Sequence, residues 1–395
     1  MKAIQESLIK NIEHFLEYDK KNAIENVVKT VFETILKLER SEFLKNSKDH
    51  QNKANGYYQR LARSVNQYIH INVPRDRLSE FKPVFLEAIN DYDNQLLDLS
   101  FKLYTHGLTT EDIKKIMDDI FGKKISTSSI SNIMKDFQST REAWLSRPIE
   151  EEYYFIFIDA LWIPVRRDTV SKEAFYIVLG LRKDLKREVL GVYNIPVESS
   201  EGWNIVLKDL KSRGLKNVLM ITADGLTGLE TIVKIELPNT YFQKCLVHKI
   251  RNILLRARTS DKTQIVDDFH EVFCLEDPNF TKEEGIKRLE SFIDKWKKIY
   301  PQFHRFFPKN QLEYYFSYLN FPHQIHRMIY TTNWIERLNK AIRKTEKVRN
   351  SFPNPDSAMN LICAFLMEFQ NDTYRYKITS FLSIQDKLDR MLACL

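Results

Sequence analysis

Two aspartates lie within or at the end of strongly apolar stretches of this chain, and their positions limit how the chain can fold. Asp159 interrupts the run Tyr-Tyr-Phe-Ile-Phe-Ile-Asp-Ala (153–160), and Asp224 ends the run Val-Leu-Met-Ile-Thr-Ala-Asp (218–224). Runs this rich in aromatic and β-branched residues predict buried strands. A carboxylate next to a buried strand is costly unless it is paired or bound to a cation. The two strands therefore predict a fold that gathers acidic groups at a Mg²⁺ site.

The elements around the two aspartates follow a recognisable order. The expected elements are strands at 153–158, 175–181 and 189–195, a helix that stops at Gly214, a strand at 218–222, a helix from 226 to 236 and a short strand at 241–243. The first three strands are joined by short charged turns, so we expect them to be antiparallel neighbours. This is the order of an RNase H-like core within the α/β (α+β) class. In that core the first and fourth strands are adjacent, which would bring Asp159 and Asp224 together.

Glu336 is a third acidic candidate, just inside a helix expected from Asn333. Phosphoryl transfer needs an activated water or 3′-hydroxyl, and it needs charge neutralised on the attacking and leaving oxygens. Two Mg²⁺ ions about 3.5–4 Å apart do both, and carboxylates are their preferred ligands. We therefore expect Asp159, Asp224 and Glu336 to be catalytic metal ligands for two Mg²⁺ ions, with Mn²⁺ as a substitute and Asp159 as the bridging ligand.

Each of the three acids also has a purely structural explanation. Asp159 could cap a turn at the end of its strand, and Asp224 could initiate the turn at Gly225. Asn333-Trp-Ile-Glu336 matches a capping box, in which the Glu336 carboxylate would bond the Asn333 amide. The residue pattern alone leaves these alternatives open.

Cys245 and His248 form a Cys-x-x-His pair, and His270 and Cys274 form a second pair further along the chain. That spacing is compatible with a structural zinc site. The other interpretation places His248 near the active centre as a phosphate or water contact, with Cys245 and Trp334 as accessory active-site residues.

Residues 107–138 match a helix-turn-helix pattern. Ile113, Ile116, Met117 and Ile120 would form the inner face of a first helix, and Gly122 lies in the turn that follows. The second helix would turn small polar groups towards DNA, namely Ser128, Ser129, Ser131, Asn132 and Lys135. The alternative is a helical hairpin that only packs.

A second basic surface follows Glu336. Trp334, Leu338, Ala341 and Ile342 would form the buried stripe of this helix. The cations beside the stripe and after it are Arg337, Lys340, Arg343, Lys344, Lys347 and Arg349. A solvated helix face is the usual reason for such a run, but next to a carboxylate site it also suits a track of DNA phosphates.

Composition supports a polyanionic partner and argues against a membrane protein. Lys and Arg exceed Asp and Glu by 60 to 53, which gives a net charge of +7. The chain has no long uncharged apolar run and no signal-peptide pattern at its N-terminus, and its four scattered cysteines fit a reducing cytosol. The expected domains are a helical region (1–56, for dimerisation or DNA binding), a strand plus helix-turn-helix domain (57–145), the first part of the core (146–258), an all-helical insertion (259–325) and the C-terminal core helices (326–395).

Several separate motifs resemble the Mutator family of bacterial insertion-sequence transposases. They are Asn55-Gly-Tyr-Tyr-Gln-Arg60, Val73-Pro-Arg-Asp-Arg77, Asp159-Ala-Leu-Trp, Ile221-Thr-Ala-Asp-Gly-Leu-Thr-Gly-Leu229, Gln243-Lys-Cys-Leu-Val-His-Lys-Ile-Arg-Asn252 and Thr332-Asn-Trp-Ile-Glu-Arg337. The resemblance implies DDE catalysis by Asp159, Asp224 and Glu336, with Cys245 and His248 as an accompanying C-x-x-H motif. It also implies a circular DNA intermediate.

We therefore expect a bacterial transposase that acts on double-stranded DNA. It would bind its element's terminal inverted repeats and target DNA as a homodimer, in the cytoplasm and at the nucleoid, with no membrane association. The alternatives are an RNase H-like nuclease or resolvase that does not join strands, and a domesticated DNA-binding derivative.

Overall fold

The computed structural model describes residues 10, 23–46, 51–63, 68–121, 126–195, 200–226, 228–273, 275, 277–346 and 351–395. The chain divides into two compact units, 1–136 and 137–395. Each unit combines helices with a β-sheet of its own, so the mixed α/β class expected from the sequence is confirmed.

The first unit is built on an antiparallel hairpin. Its elements are α1 (Ala23–Asn46), β1 (Ala54–Arg63), β2 (Tyr68–Asp76), α2 (Val84–Thr105), α3 (Thr110–Phe121) and the beginning of α4 (Thr127–Ser146). One face of the hairpin, including Ile71 and Val73, is buried with Leu36 of α1 and Leu86 of α2. The single strand expected within 57–145 is confirmed as β2, whereas β1 was not predicted.

The two helices of the expected helix-turn-helix motif are α3 and α4. Ile113 and Met117 of α3 are buried and pack with Leu99 and Leu103 of α2. The expectation that Ile120 is buried is wrong, because its side chain is 69% exposed. Ile120 lies in the last turn of α3, one residue before the helix ends.

Among the DNA-facing candidates on α4, Asn132 is exposed. The side chains of Ser128, Ser129, Ser131 and Lys135 lie outside the described part of the chain, and so does the turn that contains Gly122.

The second unit contains the strands expected from the sequence and a series of helices. After the end of α4 come β3 (Glu152–Arg166), β4 (Val170–Arg182), β5 (Arg187–Asn194), α5 (Ser200–Ser212), β6 (Asn217–Ala223), α6 (Leu229–Glu236), β7 (Tyr241–Lys244), α7 (Leu246–Leu254), α8 (Lys262–Phe273), α9 (Lys282–Lys297), α10 (His326–Ile329), α11 (Asn333–Glu346), α12 (Pro355–Phe369) and α13 (Gln385–Ala393). The strand order in the sheet is β5-β4-β3-β6-β7. As predicted, β3, β4 and β5 are antiparallel neighbours, and β6 lies beside β3.

Side chains alternate between the two faces of this sheet, and each face packs against different helices. On one face, Ile156 and Ile158 of β3 are buried with Trp203 of α5 and Val233 of α6. On the other face, Phe157 packs against Trp334 of α11, with ring centroids 5.1 Å apart. Asp159 follows Phe157 by two positions, so its side chain lies on the same face as α11.

Gly214 ends α5 as the sequence predicted. Its φ of +127° is one that side-chain-bearing residues rarely adopt, and a Cβ atom there would lie 2.8 Å from the Ile149 carbonyl oxygen.

The segment between 259 and 325 is helical where it is described, with α8, α9 and several 3₁₀ turns and no strand, as predicted. Its core is aromatic, with contacts among Phe269, Phe273 and Phe292. None of the described helices combines the length and hydropathy that a membrane span needs.

Candidate active site

Asp159 and Asp224 lie side by side on neighbouring parallel strands. In the register of β3 and β6, Ile158 pairs with Ala223; Asp159 is the next residue of β3, and Asp224 directly follows the end of β6. Asp159 is 4% exposed, whereas Asp224 is half-buried. Parallel strands lie about 4.8 Å apart, so the fold holds two carboxylates next to each other.

The structure excludes the purely structural role considered for Asp159, whereas the one considered for Asp224 stays open. β3 continues past Asp159 to Arg166, so Asp159 does not cap a turn at a strand end. Oδ1 of Asp224 accepts the Gly225 amide at 2.6 Å, which means that Asp224 does support the turn after β6. That bond engages one oxygen of Asp224, and metal binding by the carboxylate remains a prediction.

Glu336 lies in the first turn of α11, and its carboxylate points towards α7. Its Oε2 atom is 2.8 Å from Nη1 of Arg251, whereas Oε1 is buried without a hydrogen-bond partner among the described residues. The capping-box explanation is wrong, because the Asn333 amide donates instead to Oγ1 of Thr331 at 3.2 Å. The Glu336 carboxylate is therefore not used to cap its own helix.

His248 lies between the strand carboxylate and the helix carboxylate. Its Nε2 atom is 3.7 Å from Oδ1 of Asp159 and 3.8 Å from Oε1 of Glu336. Burial alone would lower the pKa of His248, but Cys245, Asp159 and Asp224 together raise that pKa to about 9. The raised pKa favours the imidazolium form of His248, whose charge offsets the repulsion between the carboxylates.

The pKa of Asp159 is raised, as expected for a buried carboxyl group that lies near other acids. Burial raises the pKa most, attraction by His248 opposes it, and repulsion from Asp224 and Glu336 adds to the increase, which brings the pKa to about 6. The four groups are thus electrostatically coupled, although they come from β3, β6, α7 and α11.

Cys245 and His248 form a compact triangle with Thr332. Sγ of Cys245 lies 3.3 Å from Nδ1 of His248 and 3.3 Å from Oγ1 of Thr332, and Thr332 Oγ1 is also 3.3 Å from His248 Nδ1. This triangle fixes the ring of His248 so that Nε2 faces the carboxylates. Sequence reasoning gave no role to Thr332, although it precedes the expected helix by one residue.

Two sets of side chains in this region could bind a metal ion, and the first set includes His248. Ligand atoms of Cys245, His248 and Glu336 lie within 4.8 Å of one another, and a thiolate-imidazole set suits zinc. The four-residue zinc site is not assembled among the described residues, because His270 is exposed on α8 and Cys274 lies outside them.

The carboxylate set fits Mg²⁺ better. Asp159, Asp224 and Glu336 offer hard oxygen ligands, and Oε1 of Glu336 is a buried acceptor that no described residue bonds. Burying such an oxygen atom is costly unless it binds a cation or accepts a hydrogen bond.

Asn339 is a site residue that sequence reasoning missed. Its Nδ2 atom donates to Oδ2 of Asp159 at 2.8 Å, and the side chain is buried. Asn339 lies three positions after Glu336, so both face the site from the same side of α11. This i, i+3 spacing was the only signal in the sequence that could have identified it.

The basic residues expected beyond Glu336 are exposed where they are described. They are Arg337, Lys340, Arg343 and Lys344, whereas Lys347 and Arg349 lie outside the described residues. Leu338 and Ile342 are buried as predicted, and Trp334 is half-buried against Phe157. The aromatic contact anchors the start of α11, and hence Glu336, to β3.

Comparisons with known proteins show which family the chain belongs to. Residues 2–376 match the family described as "Transposase, Mutator family". The chain belongs to the Mutator family of transposases. It is 33% identical over 308 residues to the transposase for insertion sequence element IS905 of Lactococcus lactis, which covers 78% of this chain and 77% of the relative.

Two further relatives of the Mutator family cover more of the chain. The transposase for insertion sequence element IS1201 of Lactobacillus helveticus is 32% identical over 81% of this chain and 85% of its own length. The transposase for insertion sequence element IS256 in transposon Tn4001 of Staphylococcus aureus is 28% identical over 91% of this chain and 94% of its own length. The resemblance noted in the sequence is therefore confirmed.

Proposed function

We propose that this Mutator family transposase is a DDE enzyme with an RNase H-like core. It would bind the terminal inverted repeats of an insertion sequence as a homodimer, cut a DNA strand and join the freed 3′-hydroxyl to target DNA. The observation that carries this proposal is the convergence of Asp159, Asp224 and Glu336 around His248. The sheet order and the helical segment before Glu336 support the same assignment.

Asp159, Asp224 and Glu336 would hold the two Mg²⁺ ions. When bound, such ions supply a nucleophilic oxygen at neutral pH and positive charge for the attacking and leaving oxygens. This requirement matches the acidic character of the three side chains and the burial of Asp159.

The protein's own residues would hold these carboxylates in place. Arg251 fixes one oxygen of Glu336, and Asn339 fixes one oxygen of Asp159. His248 holds a proton at Nε2, facing both acids, and the Cys245–Thr332 pair fixes the ring. Catalytic groups fixed in this way lose little entropy when the substrate binds.

Binding of DNA would rest on charge outside the carboxylate site. Arg337, Lys340, Arg343 and Lys344 present exposed cations along α11, which starts at the site. Phosphate contacts of this kind position a duplex without reading its sequence. We assign recognition of the inverted repeats to α3 and α4, through Asn132 and its neighbours.

A strand-transfer assay tests the proposal. Labelled duplexes that carry the element's terminal repeats are incubated with the protein and Mg²⁺, and nicked and joined products are separated. We expect both products from the wild-type protein and neither from Asp159→Ala, Asp224→Ala or Glu336→Ala. Strand transfer retained by any of these variants would refute the metal-ligand assignment. Nicking without joining would indicate a nuclease or resolvase, and binding alone a domesticated derivative.

A further inference from the structure

Arg187, the first residue of β5, carries a charge that the described residues do not neutralise. Its guanidinium carbon lies 4.4 Å from the centroid of the Tyr374 ring and 5.8 Å from that of Trp334. Its Nε atom is buried without a hydrogen-bond partner among the described residues. The adjacent acid, Glu188, pairs instead with Arg147 and Arg182, and no described carboxylate forms an ion pair with Arg187.

The surroundings of Arg187 make this charge more costly. Burial lowers its pKa, Tyr374 opposes that shift, and the nearby Arg337 guanidinium lowers the pKa further. Aromatic rings stabilise a guanidinium only partly, so two neighbouring arginines without an acid between them leave a region of positive potential. An anion is the group that would complete this region.

The geometry of Arg187 suits a phosphate. Neither terminal nitrogen donates a hydrogen bond to a described residue, and only Nε is among the buried atoms without a partner, so the two terminal nitrogens remain accessible. They form a planar fork that matches two phosphate oxygens. Stacking against Tyr374 and Trp334 holds the fork in one orientation, so little side-chain entropy would be lost on binding.

The position of the pair connects it to the candidate active site. Trp334, which contacts Arg187, lies two residues before Glu336, and Arg337 lies one residue after it on the same helix. Arg337 lies three positions after Trp334, so the two side chains lie on the same side of α11, and Arg337 is thereby placed near Arg187. We propose that Arg187 and Arg337 together bind one backbone phosphate of the DNA strand that enters the site. This inference rests on the proposed function.

Equilibrium DNA binding without divalent metal ions tests the inference separately from chemistry. The probe is a duplex that carries the element's terminal repeat, and its affinity is measured over a range of salt concentrations. We expect Arg187→Gln to weaken binding roughly tenfold and to reduce the slope of log K against log salt by about one. Arg187→Lys should restore the slope but only part of the affinity, because an ammonium cannot bind two oxygens as a fork.

Arg182→Gln is the matched control, because Arg182 lies on the same β4–β5 hairpin but is paired with Glu150 and Asp184. It should bind like the wild-type protein. Arg337→Gln replaces an exposed side chain and should fold normally, and its effect should be less than additive with that of Arg187→Gln, since both residues would contact one phosphate.

Three results would overturn the inference. In the first, Arg187→Gln and Arg187→Lys bind DNA with wild-type affinity and slope, and only their melting temperatures change. In the second, inorganic phosphate raises the melting temperature of the wild-type protein but not that of Arg187→Gln, while both proteins bind DNA with the same affinity. That result would indicate a site for a small anion. In the third, the two arginine substitutions are fully additive. A wild-type protein that does not bind the repeat at all would instead count against the proposed function.

Discussion

Nδ2 of Asn339 donates a 2.8 Å hydrogen bond to Oδ2 of Asp159, across 180 positions of the chain. The bond joins α11 to β3 and thereby fixes the distance between the turn that carries Glu336 and the strand that carries Asp159. Both side chains are buried, so neither can replace the bond with water at no cost. Asp159 and Glu336 are thus held in one site by the Asn339 side chain, which is uncharged and is not a proposed metal ligand.

Asn339→Ala should therefore affect both stability and activity. Loss of the donor leaves a buried carboxylate oxygen without its partner, which should lower the free energy of unfolding by about 1–3 kcal/mol. Loss of a group that orients a metal ligand should reduce strand cleavage roughly 10- to 100-fold at saturating Mg²⁺. Thermal unfolding and a cleavage assay measure the two effects.

Asn320→Ala is the control for this substitution, because Nδ2 of Asn320, which is exposed, donates to the Ser317 carbonyl at 2.9 Å, away from Asp159. It should leave cleavage unchanged. If Asn339→Ala cleaved at the wild-type rate, positioning of Asp159 by Asn339 would be excluded.

Glu336→Gln should abolish strand cleavage while the melting temperature stays close to that of the wild-type protein. The Asn333 amide bonds Thr331, so Glu336 contributes no cap that the substitution could remove. Glu284→Gln is the control for the loss of a carboxylate from the first turn of a helix. Glu284 lies in the first turn of α9, and its amide donates to the Thr281 side chain. Glu284→Gln should leave cleavage intact. A large loss of stability in Glu336→Gln would show that this carboxylate has a structural role.

The sequence allowed the sheet to be predicted because the signal is local. Long apolar runs around Asp159 and Asp224 mark buried strands, and short charged turns between the first three strands limit them to antiparallel pairing. The adjacency of β3 and β6 then followed from the order of the elements. Glu336 could be placed by helix periodicity beside the basic residues that follow it.

Other features could not be predicted because they depend on contacts between distant segments. Asn339 looks like a solvated helix residue until β3 places Asp159 opposite it. β1 was missed because Gln59 and Arg60 interrupt its apolar alternation, and only the hairpin partner reveals the strand. Ile120 fits the apolar period of α3, but the period does not show where the surface of α2 ends. Local patterns thus predict elements, and tertiary packing decides which side chains meet.

The first unit should lose stability as the pH falls, through Asp76. Burial alone would raise the pKa of Asp76, but hydrogen bonds from Asn52 Nδ2 (2.8 Å) and from the amides of Glu80 (3.0 Å) and Phe81 (3.2 Å) lower it below its usual value. A carboxyl group with a lowered pKa stabilises the fold above the pKa of the unfolded chain. This stabilisation is lost as the pH falls through the pKa of the folded state.

Amide hydrogen exchange at Glu80 and Phe81 measures this effect locally. Protection of both amides should decrease with acidification in the wild-type protein, and Asp76→Asn should show reduced protection at neutral pH with little further change. Asp98→Asn, which removes an exposed carboxylate from α2, should behave like the wild-type protein. Unchanged protection in Asp76→Asn would contradict the assignment.

The zinc content of Cys245→Ser and the response of its melting temperature to Mg²⁺ should distinguish a carboxylate site for Mg²⁺ from a zinc site. Mg²⁺ that binds Asp159, Asp224 and Glu336 stabilises the folded state by mass action, so Mg²⁺ should raise the melting temperature of both the wild-type protein and Cys245→Ser. Asp159→Asn should lose this response because it removes a charged oxygen ligand. Cys394→Ser, which changes an exposed cysteine, controls for the loss of a thiol. If the wild-type protein instead retained stoichiometric zinc that Cys245→Ser lost, Cys245, His248 and Glu336 would be the ligands of a zinc ion, and Glu336 could not be assigned to magnesium alone.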